Sequence, residues 1–357
     1  MMQRFTFIHL RKWLAGLLVT IAFLFSICAK LQGQDIHFSQ FYLSPLVQNP
    51  ALAGAESSLE STINYRTQWK SVTVPYKTYA AGIHGRFVKR KSQKNFFAAG
   101  ANLFYDEAGD GNLKTTSINV SIAYHIRLDR TNKLGLGFMS GYGQRRIDMG
   151  NFEWGSQYNN GYNSSLPTGE ILTSPTFSYL DFASGLVWSF DNNAGRTRVE
   201  GNNFMRGSMG VSVFHFNQPA YSFDNTGDKL LTKYVAHGNC LISLPGSYFA
   251  INPGFFYYKQ GPSQQLFIGT MLRYDITQES KYTGNLKGAG AYLGVYLRAK
   301  DALVISSMFE LSAFTIGLSY DANLSNLRPA TSGRGGFELS LKYTGASNFF
   351  GRTVQTR

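Results

Sequence analysis

Cysteine is scarce in this chain of 357 residues, where it occurs only as Cys28 and Cys240. Cys28 lies in a predicted export signal, so we expect the mature chain to have one thiol and no internal disulfide. Two cysteines and six scattered histidines do not supply a zinc site. The sequence also lacks the motifs of zinc proteases, dithiol redox proteins and serine hydrolases. We therefore expect a protein that is not an enzyme and binds no metal or cofactor.

Long apolar runs are missing as well, because no stretch of about 18 apolar residues follows residue 33. The mean hydropathy of −0.17 argues against a helical membrane protein. Charged residues amount to only 15%, whereas aromatic residues also reach 15%, with 28 Phe and 21 Tyr. This balance is typical of strands that face lipid on one side and water on the other.

Acidic residues are fewer than basic ones, and the formal net charge is +13. Four of the cations lie in residues 1–33, so the mature chain would carry +9. The remaining basic residues are scattered through predicted turns and strand ends, except for the run Lys89-Arg90-Lys91. This scatter argues against nucleic-acid binding. Contact with the anionic head groups of outer-membrane lipid or lipopolysaccharide explains the basic balance better.

Residues 1–33 have the pattern of a secretory signal peptide. Arg4, Arg11 and Lys12 precede an apolar core that is too short for a membrane-spanning helix. Cleavage after Gly33 would leave Gln34 as the first mature residue. We therefore expect the protein to be exported.

Alternation of apolar and polar residues dominates the chain from residue 57 to residue 345. In 114–128, for example, Ile118, Val120 and Ile122 alternate with polar or small residues. Alternating segments of about ten to thirteen residues match tilted strands that cross a bilayer. We therefore predict an all-β fold, a transmembrane antiparallel β-barrel of about fourteen strands in the outer membrane.

Residues 34–56 precede the strands and differ from them. Because Pro45 and Pro50 lie so close together, we expect an extended segment and neither a helix nor a regular strand. Several positions predicted to face the barrel interior are large, such as Phe104 and Tyr296, which indicates a narrow lumen. The N-terminal segment is therefore predicted to act as a plug.

The interval 147–178 is the one long break in the strand pattern, and it is rich in Asn, Gly, Ser and Pro. Counting strands from a periplasmic start places this loop outside the cell and the basic turn 88–95 in the periplasm. The loop residues that suit a protein interface are Phe152, Trp154, Gly155, Gln157, Tyr158, Tyr162 and Glu170. An equally supported alternative is that they pack the loop over the barrel mouth. The basic tail 346–357 has no assigned role.

Two motifs stand out near the start of the predicted mature chain. Their residues are Phe38, Ser39, Gln40, Tyr42, Pro45, Asn49, Pro50, Ala51 and Gly54 in the first, and Asn64, Tyr65, Arg66, Gln68 and Trp69 in the second. Together they resemble the opening of the PorP/SprF family of type IX secretion system outer-membrane proteins. Ser44 departs from the family, which more often has Asn there. Similar stretches in the long loop and in 301–321 extend the resemblance over nearly the whole mature chain.

The resemblance implies a non-enzymatic outer-membrane component of the type IX secretion system. Family members support the secretion or surface attachment of proteins that carry a type IX sorting domain, often large adhesins. Some members act in gliding motility. The expected partners are therefore the outer membrane, other secretion-system components and a secreted surface protein.

An outer-membrane channel for a hydrophobic small molecule, similar to the fatty-acid transporters, is the main alternative. Those channels also combine a β-barrel with an N-terminal plug. Pro253 lies within a strand pattern and is the candidate for the kinked strand that such a channel would need. A porin or a surface lipase has no positive support in the sequence.

Overall fold

The computed structural model describes residues 35–345, except 73, 88–94, 149, 151, 170–174, 193–203, 224–226, 278–287 and 326–327. Four of the predictions therefore concern residues outside the described part of the chain. They are the signal peptide, most of the basic turn 88–95, Glu170 of the long loop and the tail 346–357.

Fourteen strands form a closed barrel in the described residues, and each is antiparallel to its neighbours. The strands are β1 (Leu59–Gln68), β2 (Tyr76–Phe87), β3 (Asn95–Ala108), β4 (Leu113–Arg127), β5 (Asn132–Arg146), β6 (Thr176–Asp191), β7 (Met205–Phe214), β8 (Lys233–Ser243), β9 (Phe249–Gln260), β10 (Ser263–Thr277), β11 (Ala289–Arg298), β12 (Ala302–Leu311), β13 (Phe314–Asn323) and β14 (Arg334–Gly345). β1 pairs with β14, so these strands leave no free edge. The predicted β-barrel and its strand number are confirmed.

The two faces of the barrel wall differ as the alternating pattern predicts. Ile63 and Leu293 point outward and are 60% and 65% exposed to solvent in the isolated chain. The inward-facing residues are buried, and they include polar residues such as Asn64 and the large residues Phe104 and Tyr296. An apolar outer face is what a lipid-facing wall requires.

The ends of the barrel carry different connections. Because the number of strands is even, β1 begins and β14 ends at the same end. We call it the turn end; three of its connections are short, 128–131, 244–248 and 312–313, and two are longer, 192–204 and 278–288. The opposite end carries the long connections 147–175 and 215–232, and we call it the loop end.

The N-terminal segment is not extended, contrary to the sequence-based prediction. It contains a 3-10 turn at Phe41–Leu43, the short helix α1 at Pro45–Gln48 and a second 3-10 turn at Pro50–Leu52. Both prolines occupy the first position of their turn, where no backbone N–H is needed and the fixed φ angle suits a helix. Asn49 caps the second turn by accepting a hydrogen bond from the Ala51 N–H at 2.9 Å. The prolines therefore start helical turns and do not prevent them.

Two further helical turns lie in connections at the loop end. They are a 3-10 turn at Gly155–Gln157 and the short helix α2 at Arg328–Thr331. Within the described residues, no helix is both long enough and apolar enough to span a membrane.

Candidate functional site

Residues 36–56 run along the inside of the barrel from the loop end to the turn end. His37 lies near the loop end, where its ring centroid is 5.9 Å from that of Tyr258 on β9. Ala55 lies near the turn end, where its carbonyl accepts a hydrogen bond from Lys133 Nζ of β5 at 2.8 Å. The segment therefore contacts inward-facing side chains along the length of the barrel.

Four buried charges line the wall near the loop end. Arg66 of β1 forms an ion pair of 2.8 Å with Glu338 of β14, its partner in strand register. Asp321 lies 3.2 Å from Arg66 and 2.9 Å from Arg298. We call these four residues the charged quartet. Its two cations and two anions balance, which offsets much of the cost of removing each charge from water.

Ser39 and Gln40 dock on the charged quartet through their backbone. The Ser39 N–H donates to Glu338 Oε1 at 2.6 Å, and the Gln40 N–H donates to Glu338 Oε2 at 2.8 Å. The Ser39 hydroxyl donates to Asp321 Oδ2 at 2.9 Å. Because these bonds end on ionised oxygens, they are stronger than neutral hydrogen bonds. The segment is therefore hydrogen-bonded to the ion pairs that cross the junction between β1 and β14.

Aromatic packing fixes the next residues of the segment. The Phe41 ring stacks on Phe256 with centroids 5.5 Å apart, and the Tyr42 ring stacks on Tyr296 at 5.6 Å. Phe38, the first residue of the predicted motif, is only 2% exposed. Such pairs contribute about 0.5–1.5 kcal/mol each beyond the area that they bury.

Asn49 holds the middle of the segment against β6 and β7. Its Nδ2 lies 2.9 Å from the Leu186 carbonyl and 3.1 Å from the Val211 carbonyl, and it donates to both. Glycines of the wall make room for this region. A Cβ atom at Gly137 would collide with the Ala51 backbone, and one at Gly185 would collide with the Asn49 side chain. The wall is thus shaped to this segment.

The last residues of the segment meet basic side chains at the turn end. Gly54 has a φ angle of +65°, and its N–H donates to His84 Nδ1 at 3.1 Å. Its carbonyl accepts from Arg86 Nε at 2.5 Å, and the Ala53 carbonyl lies 2.7 Å from His125 Nε2. These donors satisfy the carbonyls of consecutive residues where the chain leaves the barrel interior and enters β1.

The second predicted motif divides between the two faces of β1. Asn64, Arg66 and Gln68 face inward, and Asn64 donates a hydrogen bond to a β14 serine at 2.7 Å. Gln68 lies beside the Arg66 guanidinium, where its amide oxygen can accept a hydrogen bond. Tyr65 faces outward, and Trp69, which directly follows β1, is 37% exposed. The motif therefore combines segment docking with an outer aromatic surface.

Part of the long loop at the loop end packs on itself and on the barrel. Gln157 is buried, its Oε1 accepts from the Trp154 N–H at 3.2 Å, and its Nε2 donates to the Leu166 carbonyl at 3.0 Å. The Phe152 ring covers Gly111 in the β3–β4 turn. Gln157 therefore holds the loop together, and Phe152 packs against the β3–β4 turn.

Two tyrosines of the same loop are exposed. Tyr158 and Tyr162 are 58% and 43% exposed, with ring centroids 5.7 Å apart, after the turn that begins at Gly155. The Tyr158 hydroxyl donates to Glu153 Oε2 at 2.9 Å, and this bond to a carboxylate raises the pKa of the tyrosine. Both rings are exposed, and the partner-binding role predicted for them stays a prediction.

Sequence reasoning did not identify the wall residues that bind the segment. The bond between Ser39 and Glu338, for example, joins residues 299 positions apart. The role of Arg298 was missed altogether, since no local spacing marks a residue whose partners lie on other strands.

Two small cavities lie beside the segment. The larger has a volume of about 30 Å³ and lies among Tyr42, Gln48, Glu60, His84 and Lys342. The other has a volume of about 10 Å³ and lies between Ser44 and the β1–β3 wall. Each suits bound water, whereas a pocket for a small organic molecule occupies about 300 Å³ or more.

Comparison with known proteins gives one family match. Residues 30–343 match the family described as type IX secretion system membrane protein PorP/SprF. No curated protein matches the chain.

Among solved structures, outer-membrane barrels are similar to this chain. A KdgM porin is 10% identical, with 80% of this chain and 99% of the porin covered and a TM-score of 0.35. BamA from Haemophilus ducreyi lacking POTRA domains 1–3 is 12% identical, with 81% and 71% covered and a TM-score of 0.38. A TodX monoaromatic hydrocarbon channel mutant is 9% identical, with 85% and 94% covered and a TM-score of 0.44.

Proposed function

Because the chain belongs to the PorP/SprF family of type IX secretion system membrane proteins, we propose that it holds a secreted client protein at the cell surface. As a member of this family, it is an outer-membrane component of the type IX secretion system. The proposed client carries a type IX sorting domain, and a large adhesin is the form that we expect. A role in gliding motility belongs to the same proposal.

The contacts of residues 36–56 along the inner wall are the observation that carries this proposal. In this proposal, residues 36–56 form a permanent plug of the barrel. Its backbone is bound by the charged quartet at the loop end and by Arg86 and Lys133 at the turn end. With the lumen filled, the client is not transported through this barrel. It is held from outside by the connections of the loop end.

The exposed tyrosines of the long loop support this role. Tyr158 and Tyr162 stand on a turn that is fixed by the buried amide of Gln157, so little order has to be gained on binding. Tyrosine is enriched among residues that dominate protein–protein binding energy. The proposal places the loop end outside the cell, as expected for the longer connections of an outer-membrane barrel.

The alternative of a channel for a hydrophobic molecule has weaker support. Pro253 keeps its register with Thr270 on β10, whereas pairing between β8 and β9 is interrupted opposite it, between Asn239 and Ile242. This interruption is a local irregularity of the wall. Beside the interrupted part of β8 lies the cavity of about 30 Å³, which is too small for such a ligand.

The proposed function is tested by surface proteomics of a deletion strain beside its parent and a strain complemented with the full-length gene. We expect one large sorting-domain protein to leave the surface of the deletion strain while other secretion continues, and complementation to restore it. Loss of every sorting-domain protein would make the chain a core part of the secretion machine. An unchanged surface would contradict the proposal.

A further inference from the structure

The connection 215–232 between β7 and β8 has an ordered internal structure. The Tyr221 N–H donates to the Asp228 carbonyl at 2.7 Å, and the Leu230 N–H donates to the Pro219 carbonyl at 2.9 Å. These bonds pair the two arms of the connection as a short hairpin. Its described residues therefore project from the loop end in a fixed conformation.

The base of this hairpin is fastened to β6. His215 Nδ1 lies 2.8 Å from Asp181 Oδ2, and the two side chains are 10% and 8% exposed. Asn217 adds two bonds, since its Nδ2 donates to the Leu180 carbonyl at 2.7 Å and its Oδ1 accepts from the Phe182 N–H at 3.3 Å. The position of the hairpin over the barrel mouth is thus set by side-chain contacts as well as by the chain connection.

The hairpin places two aromatic rings against two rings of β6. Tyr221 lies 5.3 Å from both Phe177 and Tyr179, and Phe223 lies 4.7 Å from Phe177. All four rings are partly exposed. The Arg145 guanidinium of β5 lies 4.8 Å from the Tyr221 ring centroid. We call these five residues the mouth cluster.

The mouth cluster has an unused donor. Arg145 Nε is buried and has no hydrogen-bond partner within the described residues. A guanidinium beside aromatic rings is suited to a carboxylate that brings apolar groups with it, because the rings cover the apolar groups and the fork binds the charge. Tyrosine and arginine are also the residues that most often dominate protein interfaces.

We propose that the mouth cluster is a second docking surface for the secreted client, and that it binds an acidic segment of that client through Arg145, Tyr221 and Phe223. This inference rests on the proposed function, since it requires a client held at the loop end. It adds the β7–β8 connection to the interface predicted from 147–178 and assigns the chemistry of the partner.

The test measures the sorting-domain protein that a deletion strain loses from its surface. Strains carrying Tyr221→Ala with Phe223→Ala should retain about tenfold less of this protein, because two anchors of the interface are removed. Arg145→Gln should give a smaller loss, and Arg145→Lys should restore part of it, since charge is regained without the planar fork. Tyr248→Ala removes a tyrosine at the turn end that is 56% exposed, and should leave retention unchanged.

All variants are compared at equal outer-membrane level and equal resistance of the barrel to unfolding in detergent. If the deletion strain loses the client but the double variant retains it fully, the mouth cluster is not a docking surface and the proposed function stands. If the double variant retains the client fully but binds less purified lipopolysaccharide, the cluster is a lipid contact and the inference is overturned. If the deletion strain itself keeps the client, both proposals fail.

Discussion

The N-terminal segment and the long loop have similar compositions but opposite environments. Both are rich in aromatic and amide side chains and contain proline. In the segment, Phe41 and Asn49 are buried because rings and carbonyls of the wall receive them. In the loop, Tyr158 is exposed, and it contacts Glu153 and Tyr162 of the same loop. Composition alone therefore does not distinguish a buried segment from an exposed loop.

The largest effect is expected from disturbing the charged quartet. Arg66→Ala leaves Glu338 and Asp321 buried with less counter-charge, and should lower the free energy of unfolding by about 3–5 kcal/mol. Urea unfolding of the purified barrel in micelles measures this loss. Arg334→Ala removes an exposed arginine at the start of β14 and should change stability by less than about 0.5 kcal/mol. Equal free energies of unfolding for the two variants would show that the charged quartet does not stabilise the barrel.

Gly137→Ala tests the close approach of the wall to the segment. The new Cβ would collide with the Ala51 backbone and should cost about 1–3 kcal/mol of stability by the same unfolding measurement. Gly155→Ala is the matched control, since a Cβ there meets nothing within 4 Å. A neutral Gly137→Ala variant would show that the segment does not lie against β5.

Asn49→Ala removes a turn cap and two bonds to wall carbonyls. We expect a stability loss of about 1–2 kcal/mol. Because the segment supports the whole barrel, client display should fall more in this variant than in Tyr158→Ala. Client display is measured on intact cells at matched expression. Unreduced display of the client in the Asn49→Ala variant would show that the segment is not needed for the proposed function.

Tyr158→Ala should have the smallest effect on the barrel. The side chain is exposed, so the free energy of unfolding should change by less than about 0.5 kcal/mol. Client display should still fall, by less than about fivefold, since one anchor among several is lost. A large loss of stability would mean that the loop, like the N-terminal segment, stabilises the barrel.

The sequence predicts those features that depend on local pattern. Alternation in stretches such as 114–128 is enough to predict strands, because successive side chains of a strand point to opposite faces of the sheet. The helical turns of the segment were missed because Pro45 and Pro50 were taken as breakers, although each stands where a turn begins. The partners of Ser39 could not be predicted, since closing the barrel is what brings Glu338 to it.

Residues 36–56 are proposed to plug the barrel. Single-channel conductance in planar bilayers tests this role by comparing the full mature chain with a variant that lacks 36–54. Both proteins must first resist detergent unfolding as closed barrels. We predict that the full chain passes almost no current and that the deletion variant opens a steady pore. Equal conductance of the two proteins would contradict the account.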